Sequence, residues 1–379
     1  MSSVYLDYNA SALVRPEVQA AMAEALADNG NPSAVHAAGR RARARVETAR
    51  ARVADLVGAD AQSVVFSSGG TESNAQAIAS ALASGFERLI VCASEHPCVA
   101  EAAMASGKPV KVLPVDVRGV IDLGKLSELL RAPGKAIVAI HDANNESGVI
   151  QPIREAATLV REAGGWLHVD AIQSAGTIPV SMAALKADSL TLSAHKLGGP
   201  QGVGALVLGE GRAAVQIVRG AGQERGLRAG TENVPGIHGF GIAADCAVRD
   251  LPLAEAHRAW RDAAEAAVEA AGATIIGKGA PRLPNTLFLS VADWDSPQAL
   301  IVLDLGGVMV SAGSACSSGK TKPSRTIVAM GRMDLATGGV RISGGWGTTQ
   351  DDWSRFAAAW VSAYETYRAR QSLRVKEIA

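Results

Sequence analysis

Residues 166–196 read WLHVDAIQSAGTIPVSMAALKADSLTLSAHK, and this stretch decides the fold. Two short apolar runs, at 166–169 and 189–192, have the length and the aliphatic side chains of buried strands. Polar residues follow both runs: Asp170 comes after the first, and Lys196 closes the SAHK segment after the second. The interval between them allows one helix and one strand. Neighbouring strand ends would therefore bring the two side chains together.

The same alternation of short apolar runs and polar segments continues on both sides of this stretch. Further short runs rich in Val, Ile or Leu occur at 63–66, 88–92, 110–114, 136–141 and 204–208. Helical patterns lie between many of them, at 72–82, 121–130 and 153–163. Alternating strands and helices predict an α/β domain built around a mostly parallel sheet.

The composition changes after residue 251. A long alanine-rich helix is predicted at 253–271, followed by strands at 274–276 and 286–291 and a helix near 297–305. A Gly/Ser-rich loop and a final helix from residue 349 complete the chain. We assign residues 13–250 to a large α/β domain, and 1–12 with 251–379 to a smaller α+β domain. The functional site is expected between the two.

Length and composition exclude several classes of protein. The chain has 379 residues, 37 basic against 37 acidic side chains, and 48% hydrophobic residues. This profile excludes a disordered chain, and it excludes a strongly basic nucleic-acid-binding protein. Four scattered cysteines form no C-x-x-C pair, which favours reduced thiols in the cytoplasm. No signal peptide or membrane-length apolar run is visible.

An arginine-rich helix is predicted at roughly 36–57. It could form a polyanion-binding patch, or it could be a solvated helix face on which acidic residues balance the charge. Because the net charge of the chain is zero, we favour the solvated face.

Asp170 and Lys196 together suit pyridoxal phosphate chemistry. Lysine is the side chain that forms Schiff bases with carbonyl cofactors, and a carboxylate can keep the cofactor's ring nitrogen protonated. Taken singly, Lys196 could be a surface lysine and Asp170 a helix N-cap. Their pairing at strand ends makes those interpretations weaker.

Three more polar clusters follow predicted strands. The segment SSGGTESN at 67–74 opens a helix, where free backbone N–H groups can bind phosphate. It matches neither a Walker A loop nor a dinucleotide fingerprint, and an ordinary capped turn remains the alternative. His96 lies in SEHP at 94–97, and Asn145 lies in NNESG at 144–148. Five such clusters at strand ends of one sheet are hard to attribute to chance.

The set SGGTES, EHP, NNESG, HVDAIQ and SAHK resembles the cysteine desulfurases, pyridoxal phosphate enzymes of the class V aminotransferase group. YLDYNAS and NPSAVH near the start, and ERGLRAGTEN, SAGSACSSG and GVRISGG after the lysine, extend the resemblance over nearly the whole chain. The resemblance implies fold type I of the pyridoxal phosphate enzymes, with a large, mostly parallel sheet domain and a smaller α+β domain.

The resemblance also implies the cofactor site. The cofactor-binding residues would be Gly70, Thr71, His96, Asn145, Asp170, Gln173, Ser193, His195, Lys196 and Thr231. Lys196 would bind pyridoxal phosphate covalently, and Asp170 would pair with its ring nitrogen. His96 would stack on the ring and act as acid and base. Thr231 would reach the phosphate from the partner subunit, which implies a homodimer.

Substrate and sulfur transfer involve the C-terminal part of the chain. Arg341, with Asn145, would bind the carboxylate of L-cysteine. Cys316, in the Gly/Ser-rich segment SAGSACSSG at 311–319, would take the sulfur as a persulfide. An inert loop cysteine is the alternative. No intrinsic metal site is expected, although Cys316 could transiently ligate an iron–sulfur cluster. Alanine production is expected not to need Cys92, Cys98 or Cys246.

Other functions remain possible on these residues. A class V aminotransferase would not need Cys316, a selenocysteine lyase would use the same pocket, and a binding protein without activity would not need Lys196. The loop at 311–324 resembles the long-loop subgroup, whose acceptor proteins serve iron–sulfur cluster assembly or thiolation. Two features differ from the family pattern and leave the identity of the sulfur-acceptor protein open. Gln223 stands where relatives usually carry histidine, and the C-terminus is short for docking a scaffold protein. No membrane or nucleic acid partner is expected.

Overall fold

The main sheet and the helices around it are built from alternating segments of the chain. The computed structural model describes residues 3–313 and 322–378, and side chains up to residue 373. The strands are β1 (Val4–Tyr5), β2 (Val64–Ser67), β3 (Arg88–Cys92), β4 (Val110–Leu113), β5 (Ala136–His141), β6 (Trp166–Asp170), β7 (Ser189–Ser193), β8 (Gly204–Leu208), β9 (Thr274–Ile275), β10 (Thr286–Ser290), β11 (Val308–Met309), β12 (Ser311–Ala312) and β13 (Val340–Ser343).

The helices flank these strands and cover both faces of the main sheet. They are α1 (Pro16–Ala27), α2 (Ala37–Leu56), α3 (Gly70–Ala83), α4 (Pro97–Ala105), α5 (Leu123–Leu130), α6 (Ile153–Glu162), α7 (Met182–Leu185), α8 (Val234–Asp250), α9 (Ala254–Ala270), α10 (Ser296–Leu305), α11 (Arg325–Ala329) and α12 (Gln350–Ile378). No helix in the described part of the chain is both long enough and apolar enough to cross a membrane.

The main sheet has the strand order β2-β8-β7-β6-β5-β3-β4. Strands β3 to β7 run parallel to one another, and β8 is antiparallel to both of its neighbours. Because β8 reverses direction, β2 runs the same way as β7. The carboxyl ends of β2, β3, β5, β6 and β7 therefore meet at one edge, and the predicted mostly parallel α/β fold is confirmed.

Burial explains why the sequences of the main-sheet strands consist of continuous apolar residues. Every residue of β5 and β6 is buried, as expected for strands covered by helices on both faces. Helices α2 and α8 pack against each other through small residues, such as Ala49 of α2 beside Gly241 of α8. Helices α1, α4 and α8 were not among the elements predicted from the sequence.

A second group of strands forms beyond residue 270. Strands β12, β13, β10 and β9 make an antiparallel sheet in that order. Its core contains Trp294, Trp353 and Trp360, and the last two come from α12. The N-terminal strand β1 joins this group by pairing with β11. The division into two domains at the residues given above stays a prediction.

The arginine-rich helix α2 differs from the expected solvated face at one position. Arg50 is 2% exposed and donates two hydrogen bonds of 2.7 Å to the carboxylate of Glu224. Glu224 also accepts from the backbone N–H of Phe66 at 2.8 Å. A charge can be buried when its partner satisfies it this fully. Arg50 therefore ties α2 to a distant loop.

Candidate active site

A cavity of about 860 Å³ opens at the carboxyl edge of the main sheet. It is bounded on the other side by β12 and β13 of the second group of strands. The predicted site residues that line it are Gly70, Thr71, His96, Asn145, Asp170, Gln173, Ser193, His195, Lys196 and Arg341. The structure thus brings together residues that are spread over more than two-thirds of the chain.

Lys196 lies in a short 3-10 turn, Ala194–Lys196, directly after β7. Its Nζ donates to the backbone carbonyls of Asn9 and Ala10, with 2.9 Å to the second. Burial, followed by the positive charge of Arg341, lowers the pKa of Lys196 to about 8. A substantial fraction of the amine is therefore neutral near physiological pH, as a nucleophilic lysine requires.

Asp170 ends β6 on the floor of the cavity and is 7% exposed. Burial, and then the negative charge of Glu95, raise the pKa of Asp170 to about 6. Two donors act in the opposite direction, the Asn74 side chain at 2.9 Å and the backbone N–H of Ile172 at 3.0 Å. With a pKa of about 6 this carboxyl is still mostly ionised at neutral pH, so it can pair with a cationic ring nitrogen.

The N-terminus of α3 forms the anion-binding end of the cavity. Gly69, which precedes this helix, has no side chain to cap it, and among the described residues no side chain caps its first backbone N–H groups. A Cβ on Gly70 would lie 2.2 Å from Ile172 Cδ1, so only glycine fits there without displacing that side chain. Ser193 and His195 line the cavity near this end, and the His195 Nδ1 atom lies 3.3 Å from Ser11 Oγ.

These residues fit pyridoxal phosphate. They supply an amine with a lowered pKa, a buried carboxylate and a helix N-terminus without a capping side chain, all around one cavity. These are the groups that an aldehyde, a pyridine nitrogen and a phosphate need.

His96 is the N-cap residue of α4, which starts with Pro97. Its Nδ1 accepts from the backbone N–H of Cys98 at 3.2 Å and lies 3.0 Å from the Cys98 sulfur. Burial, followed by the charge of Lys196, lowers the pKa of His96, which favours the neutral ring. Gln173 lies on another side of the cavity and donates to the carbonyl of Asn9 at 3.0 Å.

Arg341 projects from β13 into the cavity and is 6% exposed. Its two terminal nitrogens donate to the backbone carbonyl of Asn145 at 3.0 Å and to the carboxylate of Asp7 at 2.9 Å. The third nitrogen, Nε, is buried without a hydrogen-bond partner among the described residues. Each terminal nitrogen carries a second N–H besides the bonded one, and a guanidinium that lines a cavity is suited to binding a carboxylate.

The segment that contains Cys316 lies outside the described residues, but its flanks are anchored at the cavity. On one side, Ser311 donates to Asp7 at 2.6 Å. On the other side, Ser324 donates to Glu146 at 2.5 Å. Burial raises the pKa of Glu146, and the Ser324 hydrogen bond acts against that shift. Asp7 thus contacts both Arg341 and the residue from which the segment departs.

The comparisons with known proteins agree with this architecture. Residues 4–356 match the model of the aminotransferase class-V family. A cysteine desulfurase IscS from Dictyoglomus turgidum is 39% identical over 92% of this chain and 91% of its own length. A solved NifS-like protein superposes with a TM-score of 0.88 and 32% identity over 96% of this chain and all of its own. A structure described as SspA in complex with cysteine superposes with a TM-score of 0.77 and 28% identity, over 90% and 98%.

The chain belongs to the cysteine desulfurases of the class-V aminotransferase family. The resemblance noted in the motifs is thereby confirmed, and so is fold type I. Members of this family generally depend on pyridoxal phosphate.

Thr231 is the one predicted site residue in the described ranges that does not line the cavity. It is exposed on the loop between β8 and α8. Gln223, at the position where relatives usually carry histidine, accepts from the backbone N–H of Gly230 at 3.1 Å and so supports this loop beside Thr231. The contact of Thr231 with a partner subunit stays a prediction.

Three residues of the site were missed from the sequence. Asn9 accepts from Lys196 through its carbonyl, and Asn74 donates to Asp170. Both lie inside motifs quoted above, YLDYNAS and SSGGTESN, so position in a motif could have indicated them. Cys98 lines the cavity as well, and nothing in its sequence surroundings predicts that.

Proposed function

We propose that this protein is a pyridoxal phosphate-dependent cysteine desulfurase that converts L-cysteine to L-alanine and takes the sulfur on Cys316. The main support is the placement of Lys196, Asp170 and Arg341 around one cavity of about 860 Å³. An amine, an acidic floor and a carboxylate-binding guanidinium are the groups that amino-acid chemistry on this cofactor requires.

In this proposal Lys196 holds the cofactor, Asp170 contacts its ring nitrogen, and Gly70, Thr71, Ser193 and His195 surround its phosphate. Pyridoxal phosphate, when bound, supplies a carbonyl for the substrate amine and an electron sink for the bonds that break. Gln173 and Asn145 lie beside the ring. The contact of Asn74 with Asp170, at 2.9 Å, keeps that carboxylate oriented.

The side chains around the substrate then have separate tasks. Arg341 binds the carboxylate of L-cysteine through its guanidinium, and Asp7 keeps the guanidinium in place. Lys196 would move the proton from the α-carbon, since its lowered pKa allows it to act as a base near neutral pH. His96 holds or delivers a proton at the sulfur side of the cavity.

Sulfur transfer is a displacement at the sulfur of the substrate. The thiolate of Cys316 forms a sulfur–sulfur bond while the carbon–sulfur bond of the substrate breaks. The electron pair of that bond stays with the carbon, which is later protonated, so that L-alanine leaves and Cys316 carries a persulfide. Delivery of this sulfur to an acceptor protein, for iron–sulfur cluster assembly or thiolation, completes the cycle.

The proposal includes a homodimer in the cytoplasm, with Thr231 of each subunit completing the phosphate site of the other. It also retains the two-domain division, with the Cys316 segment in the smaller domain. Exposure of Thr231 on a loop outside the cavity of its own chain supports a contact made in trans.

Mass spectrometry after incubation with L-cysteine tests the proposal. We expect one equivalent of alanine and a mass increase of one sulfur atom on the peptide that contains Cys316. Lys196→Ala should give neither product, and it should lose the yellow colour of the bound cofactor. Amino-group transfer to a keto acid without added sulfur would instead indicate an aminotransferase. A selenocysteine lyase would act on L-selenocysteine and leave L-cysteine unchanged.

A further inference from the structure

Asn74 is fully buried in the second turn of α3, between the main sheet and the floor of the cavity. Its side chain contacts three groups. The amide nitrogen lies 2.9 Å from Asp170 Oδ2 and 3.3 Å from the Cys98 sulfur, and the amide oxygen lies 2.8 Å from His168 Nε2. Two of these neighbours line the cavity, and the third lies inside the sheet.

The direction of each hydrogen bond follows from the chemistry of the partners. A carboxylate only accepts, so the NH₂ group of Asn74 must face Asp170. The amide oxygen therefore needs a donor, which must be the Nε2–H of His168. Burial lowers the pKa of His168 to about 4, so this ring is neutral and its Nδ1 accepts. The Ser189 hydroxyl is 2.9 Å from that Nδ1 and donates to it.

The chain of bonds ends in the core. The Trp166 indole N–H donates to Ser189 Oγ at 2.9 Å. Trp166, Ser189 and His168 are all buried within two strands of the sheet, so none of them can turn without disrupting it. The orientation of the Asn74 amide is therefore determined by the sheet itself. A flipped amide would place its oxygen against the Asp170 carboxylate and its NH₂ group against a donor.

The second N–H of Asn74 leads to His96. Burial raises the pKa of the Cys98 thiol to about 11, so the sulfur keeps its proton. The Cys98 sulfur lies 3.0 Å from His96 Nδ1, and the backbone N–H of Cys98 donates to the same atom at 3.2 Å. Because Nδ1 accepts, the neutral ring carries its own proton on Nε2. The backbone of Cys98 thus selects the tautomer of His96, and the thiol, which accepts from Asn74, contacts the same ring nitrogen.

We propose that Asn74 is a positioning residue for the reaction, because one amide group orients the Asp170 carboxylate and, through the Cys98 thiol, the His96 ring. Asn74 itself touches neither substrate nor cofactor. This inference rests on the proposed function, since Asp170 and His96 matter only if they serve the cofactor. The contacts of Asn74 connect Asp170 with His96, two site residues that are 74 positions apart in the sequence.

The first test removes the amide. Asn74→Leu keeps the approximate volume but leaves Asp170 without its side-chain donor. We expect the dissociation constant for pyridoxal phosphate to rise roughly tenfold or more, the usual effect of losing a hydrogen bond to a charged group. Gln76→Leu is the matched control. Gln76 is a fully buried amide on the same helix, but it donates to the carbonyls of Val215 and Leu227, away from the cavity.

The second test reads the tautomer of His96 by ¹⁵N NMR of the full-length protein with labelled histidine. Cys98→Ser keeps a donor at Nδ1 and should preserve the Nε2–H signature. Cys98→Ala and Asn74→Leu keep the backbone N–H of residue 98 at Nδ1 but remove or release the thiol, so the Nδ1 signal should shift while the Nε2–H tautomer is retained. The other titratable groups around this region, Glu95, His141 and Lys196, are unchanged in all of these variants.

The outcomes separate the possibilities. Unchanged cofactor affinity in Asn74→Leu, or an equal loss in Gln76→Leu, would overturn the role of Asn74 at Asp170. Identical His96 spectra in Cys98→Ser and Cys98→Ala would overturn the connection to His96, even if Asn74→Leu failed to fold. If the wild-type protein formed no alanine while these couplings were present, the proposed function would be wrong and the positioning role of Asn74 would remain.

Discussion

Replacing Arg341 with lysine should weaken the binding of L-cysteine with little effect on the chemical step. The guanidinium is 6% exposed, and two of its nitrogens already bind Asn145 and Asp7. Each of these two nitrogens carries a second N–H, and Arg341 lines the cavity, so these N–H groups are the donors that remain for a substrate carboxylate. Lysine keeps the positive charge beside Asp7, so this acid is not left unpaired, but it cannot bind both existing partners and a carboxylate in a planar, forked arrangement.

The magnitude follows from the bond that is lost. A hydrogen bond to a charged group contributes about 1.5–3 kcal/mol, which corresponds to roughly 10- to 150-fold in affinity. We therefore expect the KM for L-cysteine to rise by this factor. The kcat should fall by much less, because Lys196 and His96 are unaltered.

Alanine formation at a series of L-cysteine concentrations gives both constants. Arg282→Lys is the matched control, since Arg282 also pairs with a buried acid, Glu265 at 2.7 Å, and also has a nitrogen without a partner among the described residues. Arg282 does not line the cavity of about 860 Å³. A KM for Arg341→Lys within twofold of the wild-type value would refute the assignment of Arg341 to the substrate carboxylate.

Three further predictions concern the cofactor, the sulfur and the assembly. The rate at which pyridoxal phosphate attaches to the cofactor-free protein should rise with pH and level off above about pH 8, because only the neutral amine of Lys196 attacks the aldehyde. A rate that levels off only near the ordinary lysine pKa of about 10.4 would contradict the lowered pKa of Lys196. Cys316→Ala and Cys316→Ser should retain the bound cofactor but form only traces of alanine, whereas Cys92→Ala and Cys246→Ala should behave as the wild type in the same alanine assay. Light scattering should show a homodimer, and a stable, fully active monomer would exclude the role of Thr231 in trans.

Cys98 is not a suitable control for the alanine assay. From the sequence alone, alanine formation is expected not to need Cys98, as for Cys92 and Cys246. The structure places it in the cavity, 3.0 Å from His96. Its effect on alanine formation is therefore expected to depend on the substitution: serine should be tolerated better than alanine.

Much of the main sheet could be predicted from the sequence. Strands β3, β5 and β8 begin and end where the apolar runs do, because buried strands consist almost entirely of apolar residues. The positions of Asp170 at the end of β6 and of Lys196 shortly after β7 followed from the same runs. The reversed direction of β8 could not be predicted, since an apolar run has the same composition whichever way the strand points.

The contacts that complete the site could not be predicted because they join distant parts of the chain. Asp7 meets Arg341 across 334 positions, and Arg50 meets Glu224 across 174. Glu47, three positions earlier, also pairs with Arg50 at 3.1 Å, but nothing near Arg50 in the sequence indicates Glu224, and so a solvated face was the reasonable expectation. Likewise, the tautomer of His96 depends on Cys98, whose burial is a property of the folded cavity.

The N-terminal segment connects the two halves of the site, and this has a consequence for protein synthesis. Asn9 binds Lys196 through its carbonyl, while its own backbone N–H donates to Ser343 and its side chain donates to Thr286. The contacts of Asn9 must therefore wait for a residue that follows 334 positions later. The main sheet, complete at residue 208, can form while the chain is still growing. The cavity that contains Lys196 and Arg341, in contrast, can be completed only after β13 has been synthesised.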